Sequence, residues 1–329
     1  MNSRLMLKAG ALLAFAILAS RFMPTWFVFL LVIAAAKGIV ALGVIIAMRG
    51  GLVSFGQGLF FAGGAYTAGL MAKYWGISDF LAQSILGAAT GLLLATIVGP
   101  LLSSYRGIFF ATLTLALSMI AYGALNKATV LGGSDGMTVP APTFFGYNPE
   151  GATQTWLTFV GTAIACALVW IYCDRVFRSR RGLMSLALRE NELRVDYLGA
   201  SVSGIARANL RSAGALGGLG GAISAMALVN INPEFAFWTT SGEFVFVAVL
   251  AGVHSIGAAF VASFLLEMVK SFSNQYMANA WQFVLGLFLF LVILFLPEGL
   301  GSLTRRRRQA GGPAMKASKP VPVQISGTK

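Results

Sequence analysis

The sequence predicts an all-α, polytopic membrane protein with about ten transmembrane segments, within a range of about 8 to 10. Three observations predict it. First, 57% of the 329 residues are hydrophobic and 11% charged, with a mean hydropathy of +0.79, whereas a soluble domain carries about a quarter charged residues. Second, apolar runs of about the length that crosses a bilayer recur along the chain. Third, basic residues gather at the ends of those runs, in one central loop and in the tail Arg305–Arg308. This pattern sets orientation in a membrane, so the net charge of +13 does not point to nucleic acid.

The runs fall at 5–20, 24–48, 51–72, 80–103, 106–126, 155–173, 205–229, 243–270 and 279–297. Arg4 and Lys8 precede the short apolar stretch Ala9–Ala19, which has the layout of a signal peptide and is read as a retained span. Residues 127–153 contain Gly, Pro, Asp and Asn and form an extramembrane loop. The membrane domain is 1–303. Residues 304–329 are basic, Pro- and Ser-containing, and expected to be a disordered tail.

Charge counting fixes the sides. With the 174–204 loop inside (Arg175, Arg178, Arg180, Arg181, Arg189, Arg194), Arg4, Lys8, Arg49 and Arg106 also fall inside, and Arg21, Lys73 and Lys127 outside. Counting forward leaves Arg305–Arg308 outside, against the rule. The conflict disappears if 243–270, long for one span, is a broken helix or hairpin turning near Val253–Gly257, with each half too short to cross alone. Such a turn requires burial by protein. Both termini then face the cytoplasm.

Little in the chain suggests catalysis. There is no GxxxxGK[ST] loop, so ATP hydrolysis is not expected of it. The run Gly214–Gly221 lacks a preceding strand, and small residues letting spans approach closely account for it. No serine–histidine–acid set, carboxylate pair or metal-ligand spacing occurs, His254 is the only histidine, and Cys166 and Cys173 are too far apart on a helix for a disulfide. No cofactor and no metal are expected. A membrane-embedded enzyme would need clustered acids or histidines. Ionisable residues inside spans are costly and informative. Lys37, near the middle of its span, either faces a partner span or snorkels, or lines a polar path. Glu243 opens the proposed hairpin, and Glu267 and Lys270 near its end have the spacing of an in-helix ion pair.

The strongest local signal is in the central loop. Leu183–Gly199 mixes charges with helix formers and ends in a glycine suited to a helix stop. Leu183, Leu186, Arg189, Glu190, Leu193 and Tyr197 share a stripe at helical spacing. Such a helix can rest in the lipid interface or dock into a partner groove.

Several stretches resemble the inner-membrane permease subunit of branched-chain amino acid ABC importers: Gly51–Gln57 with Phe61–Thr67, Gly132–Gly136, Leu188–Glu192 running to Leu198-Gly199, Pro233–Phe235 with Trp238–Glu243, and Pro297-Glu298-Gly299. They occur in the family's order over about 50–300. The resemblance implies that 183–199 is a coupling helix on a cytoplasmic ATPase, with Leu186, Arg189, Glu190, Glu192, Leu193, Asp196, Tyr197 and Gly199 at the contact. It also implies a companion homologous permease, two ATPase subunits and a periplasmic substrate-binding protein faced by the outer loops, in the bacterial inner membrane. Arg194-Val195 replace a usual small pair. Gln57 stands where histidine is common, Ile45 where asparagine is, and Val253-His254-Ser255 replaces a Gly-x-Gly-Ser-like run. Lys37, Gln57, Tyr66, Glu243 and His254 are the candidate path residues. The expected cargo is branched-chain or related amino acids. Urea, amides or aromatic acids are alternatives, and an ion-coupled secondary transporter is the rival of another class.

Overall fold

A computed structural model describes residues 20–276, 280–295 and 299–301. The 5–20 span, Pro297-Glu298 and the 304–329 tail lie outside the described residues or nearly so. Among the described residues the regular structure is helical, apart from one two-stranded ribbon. Helices α1 (Thr25–Arg49), α2 (Gln57–Trp75), α3 (Phe80–Leu102) and α4 (Gly107–Lys127) precede strand β1 (Met137–Thr138). Helix α5 (Gly151–Arg178) leads into two short helices, α6 (Arg180–Glu190) and α7 (Glu192–Tyr197). Then come α8 (Val202–Leu228), β2 (Asn230–Ile231), a 3-10 turn (Pro233–Ala236), α9 (Trp238–Ala251), α10 (Ile256–Tyr276) and α11 (Trp281–Phe295). Among the described residues, five helices are long and apolar enough to cross a membrane, namely α1, α3, α4, α5 and α10.

The molecule has two distinguishable ends. At one, β1 and β2 pair antiparallel, Met137 opposite Ile231; this is the ribbon end. At the other lie α6 and α7, the loop end. Asp79 organises the ribbon end: one carboxylate oxygen caps α3 through the Leu81 and Ala82 amides, and the other accepts from the Phe145 amide.

Three helices meet nearly backbone to backbone. A Cβ on Gly64 or Gly91 would collide with the backbone of Gly218 or Gly214, and one on Gly221 with that of Phe61. Glycine is therefore required wherever α2 and α3 cross α8, and the 214–221 run is a packing seam. Without a hydrophobic drive between helices in lipid, such close approach supplies the van der Waals attraction that holds spans together. Around the seam, Ile39, Leu42, Ile45, Ile223 and Phe244 are fully buried. Ile45 is thus a core residue.

Two helices start at depth. The chain after Arg49 runs as irregular backbone and becomes helical only at Gln57, not at Gly51. The Phe55 amide donates to Thr114 Oγ1, two turns along α4 from the loop end, and the Gly58 amide donates to Ser241 Oγ. From the opposite direction, 232–237 runs inward, where the Ala236 carbonyl accepts from Ser118 Oγ. Nonhelical backbone at depth persists because protein surrounds it.

The apolar run 243–270 is broken, as charge counting requires. Helix α9 ends at Ala251, Gly252 has φ +77°, and α10 begins at Ile256. Glu243 and Lys270 nonetheless form an ion pair. A straight helix would separate them by about 40 Å, so the chain reverses. One expectation is corrected: α10 has 21 residues and is long enough to cross, because it continues six residues past Lys270. Only α9, with 14, is short. The turn lies at the loop end, where Arg49 donates from Nη1 to the Val253 carbonyl at 2.9 Å and lies over the Phe177 ring at 4.1 Å. The Leu300 amide returns to the Leu250 carbonyl there.

Candidate functional site: a cavity over a buried ion tetrad

Lys37 sits midway along α1, where thirteen helical residues place it about 20 Å from either end. A lysine at that depth needs partners, and the α9–α10 hairpin supplies them. Its Nζ donates to Glu267 Oε1 at 2.6 Å and to Glu243 Oε2 at 3.2 Å, while Lys270 Nζ donates to the other oxygen of Glu243. Two cations and two anions thus form one chain, Glu267–Lys37–Glu243–Lys270, with side chains only 11–27% exposed. Glu267 and Lys270 keep the in-helix spacing of a pair, and the bonds that join the group run between helices, Glu267 reaching across to α1.

Above the tetrad is a cavity of about 500 Å³, in the usual range for small-molecule sites. Its walls are Phe29, Leu30 and Ile33 of α1, Phe61 of α2, Leu228 of α8, and Phe235. Trp26, Glu234 and Asn274, all exposed, stand at the ribbon end of the lining, so the cavity opens that way. Two polar atoms on the lining residues, Ser224 Oγ and Asn232 Oδ1, are buried and have no hydrogen-bond partner among the described residues.

The predicted path residues therefore divide. Lys37 and Glu243 come together as half of the tetrad. Gln57 is fully buried, its amide donating to the Ala213 carbonyl. Tyr66 packs in the cluster of Met137 and Ile231 under the ribbon. His254 lies in the α9–α10 turn at the loop end. None of these three lines the cavity. Sequence reasoning named Glu267 and Lys270 but not their role, and it missed Ser224 and Asn232. The available signal was complementarity: Lys37 in one predicted span is opposite in sign to Glu243 and Glu267 in another.

At the loop end the 183–199 segment is two helices rather than one. Asn191, with extended backbone, ends α6 and caps α7 by accepting the Arg194 amide on Oδ1. The stripe is split accordingly. Leu188 and Val195 are buried, Leu186 is half-buried, and Leu183, Arg189, Glu190, Leu193, Asp196 and Tyr197 are exposed. Gly199 has φ +74° and its amide closes onto the Asp196 carbonyl, as a helix stop requires. Glu192 is held by Arg106 at 2.7 Å. Helix α6 is pinned to α8, since Asn209 donates to Ser185 and Arg181 donates to Asn209 and Ser212.

Residues 26–294 match the family described as branched-chain amino acid transport system / permease component. The chain belongs to that family. It is 28% identical to the high-affinity branched-chain amino acid transport system permease protein LivM of Escherichia coli (strain K12), covering 82% of this chain and 68% of the relative. It is 29% identical to the LivM protein of Salmonella typhimurium, covering 78% of this chain and 65% of that relative. The chain thus spans about two thirds of the length of these relatives. No solved structure matches it. This permease is a multi-pass membrane protein and a transport component, and the cavity and the exposed loop-end helices are the features its transport role has to explain.

Proposed function

We propose that this permease is the membrane subunit of an ABC importer that moves branched-chain amino acids across the bacterial inner membrane. Its partners are a companion permease, two cytoplasmic ATPase subunits and a periplasmic binding protein. Family membership over 26–294 carries the reading. The loop end is the cytoplasmic end. There α7 is the coupling element, with Leu193, Tyr197 and Leu198 at 66–89% exposure and Glu190 and Asp196 beside them. Apolar side chains this open, on a charged helix tied to the body through the Arg106–Glu192 bond and the buried Val195, suit a groove on another protein. The ribbon end faces the binding protein and admits cargo to the cavity. The 5–20 span with α1–α5 and α8–α11 makes ten segments, of which α9 is a half-span, and a ten-segment count puts the basic tail on the cytoplasmic side.

The test is purification of the full chain from its native membrane, followed by reconstitution. A stoichiometric ATPase and ATP-driven uptake of leucine, isoleucine or valine are expected. Uptake driven by an ion gradient with no ATPase present would overturn the reading. Reversing Glu190→Arg together with Asp196→Arg should leave assembly partly intact while separating ATP hydrolysis from uptake. Unchanged uptake would remove α7 from the mechanism.

A further inference from the structure

We propose that the floor of the cavity is a binding site for a zwitterion with an apolar side chain, contained within this one chain. The ligand binds by exchanging with the tetrad's ion pairs, which loosens α1 from the α9–α10 hairpin. The inference rests on the permease reading and adds to it where cargo pauses and what that pause does.

The charge count selects the ligand. Lys37, Lys270, Glu243 and Glu267 balance to zero at a depth where uncompensated charge is expensive. A ligand with net charge would leave one group unpaired. A dipolar headgroup adds one charge of each sign, so its carboxylate can replace a glutamate on Lys270 or Lys37 while its ammonium replaces a lysine on Glu243 or Glu267. Every charge stays paired before and after. The orphaned atoms make the same demand independently. Ser224, 1% exposed, offers an O–H donor, and Asn232 Oδ1 offers an acceptor. Both atoms lie behind the cavity surface, so they become available only as the wall moves, and then a carboxylate can accept from the first and an ammonium donate to the second. Above this floor Phe29, Leu30, Ile33 and Phe61 provide an apolar wall for a side chain.

The placement of the four charges gives the site a mechanical consequence. Three stand on the hairpin, and Lys37 alone stands on α1. Its two ion pairs are cross-links between α1 and each arm of the hairpin. A ligand that takes over those glutamates binds more tightly where α1 and the hairpin have parted, and so shifts the population toward that state.

The experiment uses the full chain with the subunits that accompany it, in lipid nanodiscs without binding protein, and L-leucine as probe. Saturable leucine binding is expected. 4-Methylpentanoate and isopentylamine, which are leucine without its ammonium and without its carboxylate, should compete at least about tenfold more weakly, as loss of a charge-assisted contact entails. Ser224→Leu, which adds bulk to the cavity lining, and Glu267→Gln, which removes a carboxylate the ligand's ammonium would take and leaves the tetrad with a net positive charge, should each weaken leucine binding about tenfold or more. Monodispersity identifies a variant that fails to fold, in which case the other decides. ATP-driven uptake is measured on the same preparations. Absence of saturable binding in an assembly with intact uptake would overturn this site and leave the transport reading standing. So would wild-type affinity in the folded variants, or equal competition by the two half-ligands. Absence of both binding and uptake would overturn both.

Discussion

Lys37 is the residue on which most depends. Its ammonium bonds both Glu267 and Glu243. Lys37→Met would leave two carboxylates short of a partner at depth. Breaking a buried pair by removing one member costs about 3–5 kcal/mol, so a clear fall in the unfolding temperature in detergent is expected. Replacing Lys37, Glu243, Glu267 and Lys270 together by apolar residues should restore much of that stability while abolishing uptake. A quadruple variant no more stable than Lys37→Met would show that the charges are held by something other than one another. Arg49 is the counterpart at the loop end. Arg49→Met loses both the bond to Val253 and the stack on Phe177, and faster hydrogen exchange in the 252–255 turn would report it.

Among the elements, α2, α3 and α8 form the rigid part. Their contact is glycine against glycine, so Gly218→Leu or Gly64→Val has no space to enter, whereas Gly123→Ala and Gly242→Ala meet nothing within 4 Å. The first pair should yield no monodisperse protein on size exclusion, and the second near-normal amounts. Much of this was legible. The Gly214–Gly221 run announced a close crossing, and the misplaced Arg305–Arg308 cluster announced a break near His254. Two things were not. The depth at which α2 and α9 begin depends on long-range partners, Thr114, Ser118 and Ser241, which leave no periodic trace. The break at Asn191 was hidden because 183–199 keeps helical spacing on both sides of the kink.

For the whole molecule, the sidedness is the testable quantity. In a background where Cys166 and Cys173 are replaced, cysteines at Tyr197 and Ser255 should react with a membrane-impermeant maleimide from the same face, and one at Phe145 from the other. Tyr197 and Phe145 are 89% and 88% exposed, at the loop end and the ribbon end. Labelling of Ser255→Cys together with Phe145→Cys would invert the hairpin and undo the ten-segment arrangement. The cavity was only partly legible at this scale. Lys37 and Glu243 could be named as intramembrane charges, but their separation of 206 positions hid that they touch.

The shortness of α9 bears on how the protein enters its membrane. A 14-residue helix is well below the roughly 20 residues that partition as a span, so the insertion machinery would not retain α9 by itself. It has to be integrated with α10 as one helical hairpin, and its acidic Glu243 becomes tolerable only once Lys270 has followed it out of the ribosome. Biogenesis would then stall, or discard the chain, at any mutation that delays that pairing, before transport is ever at issue.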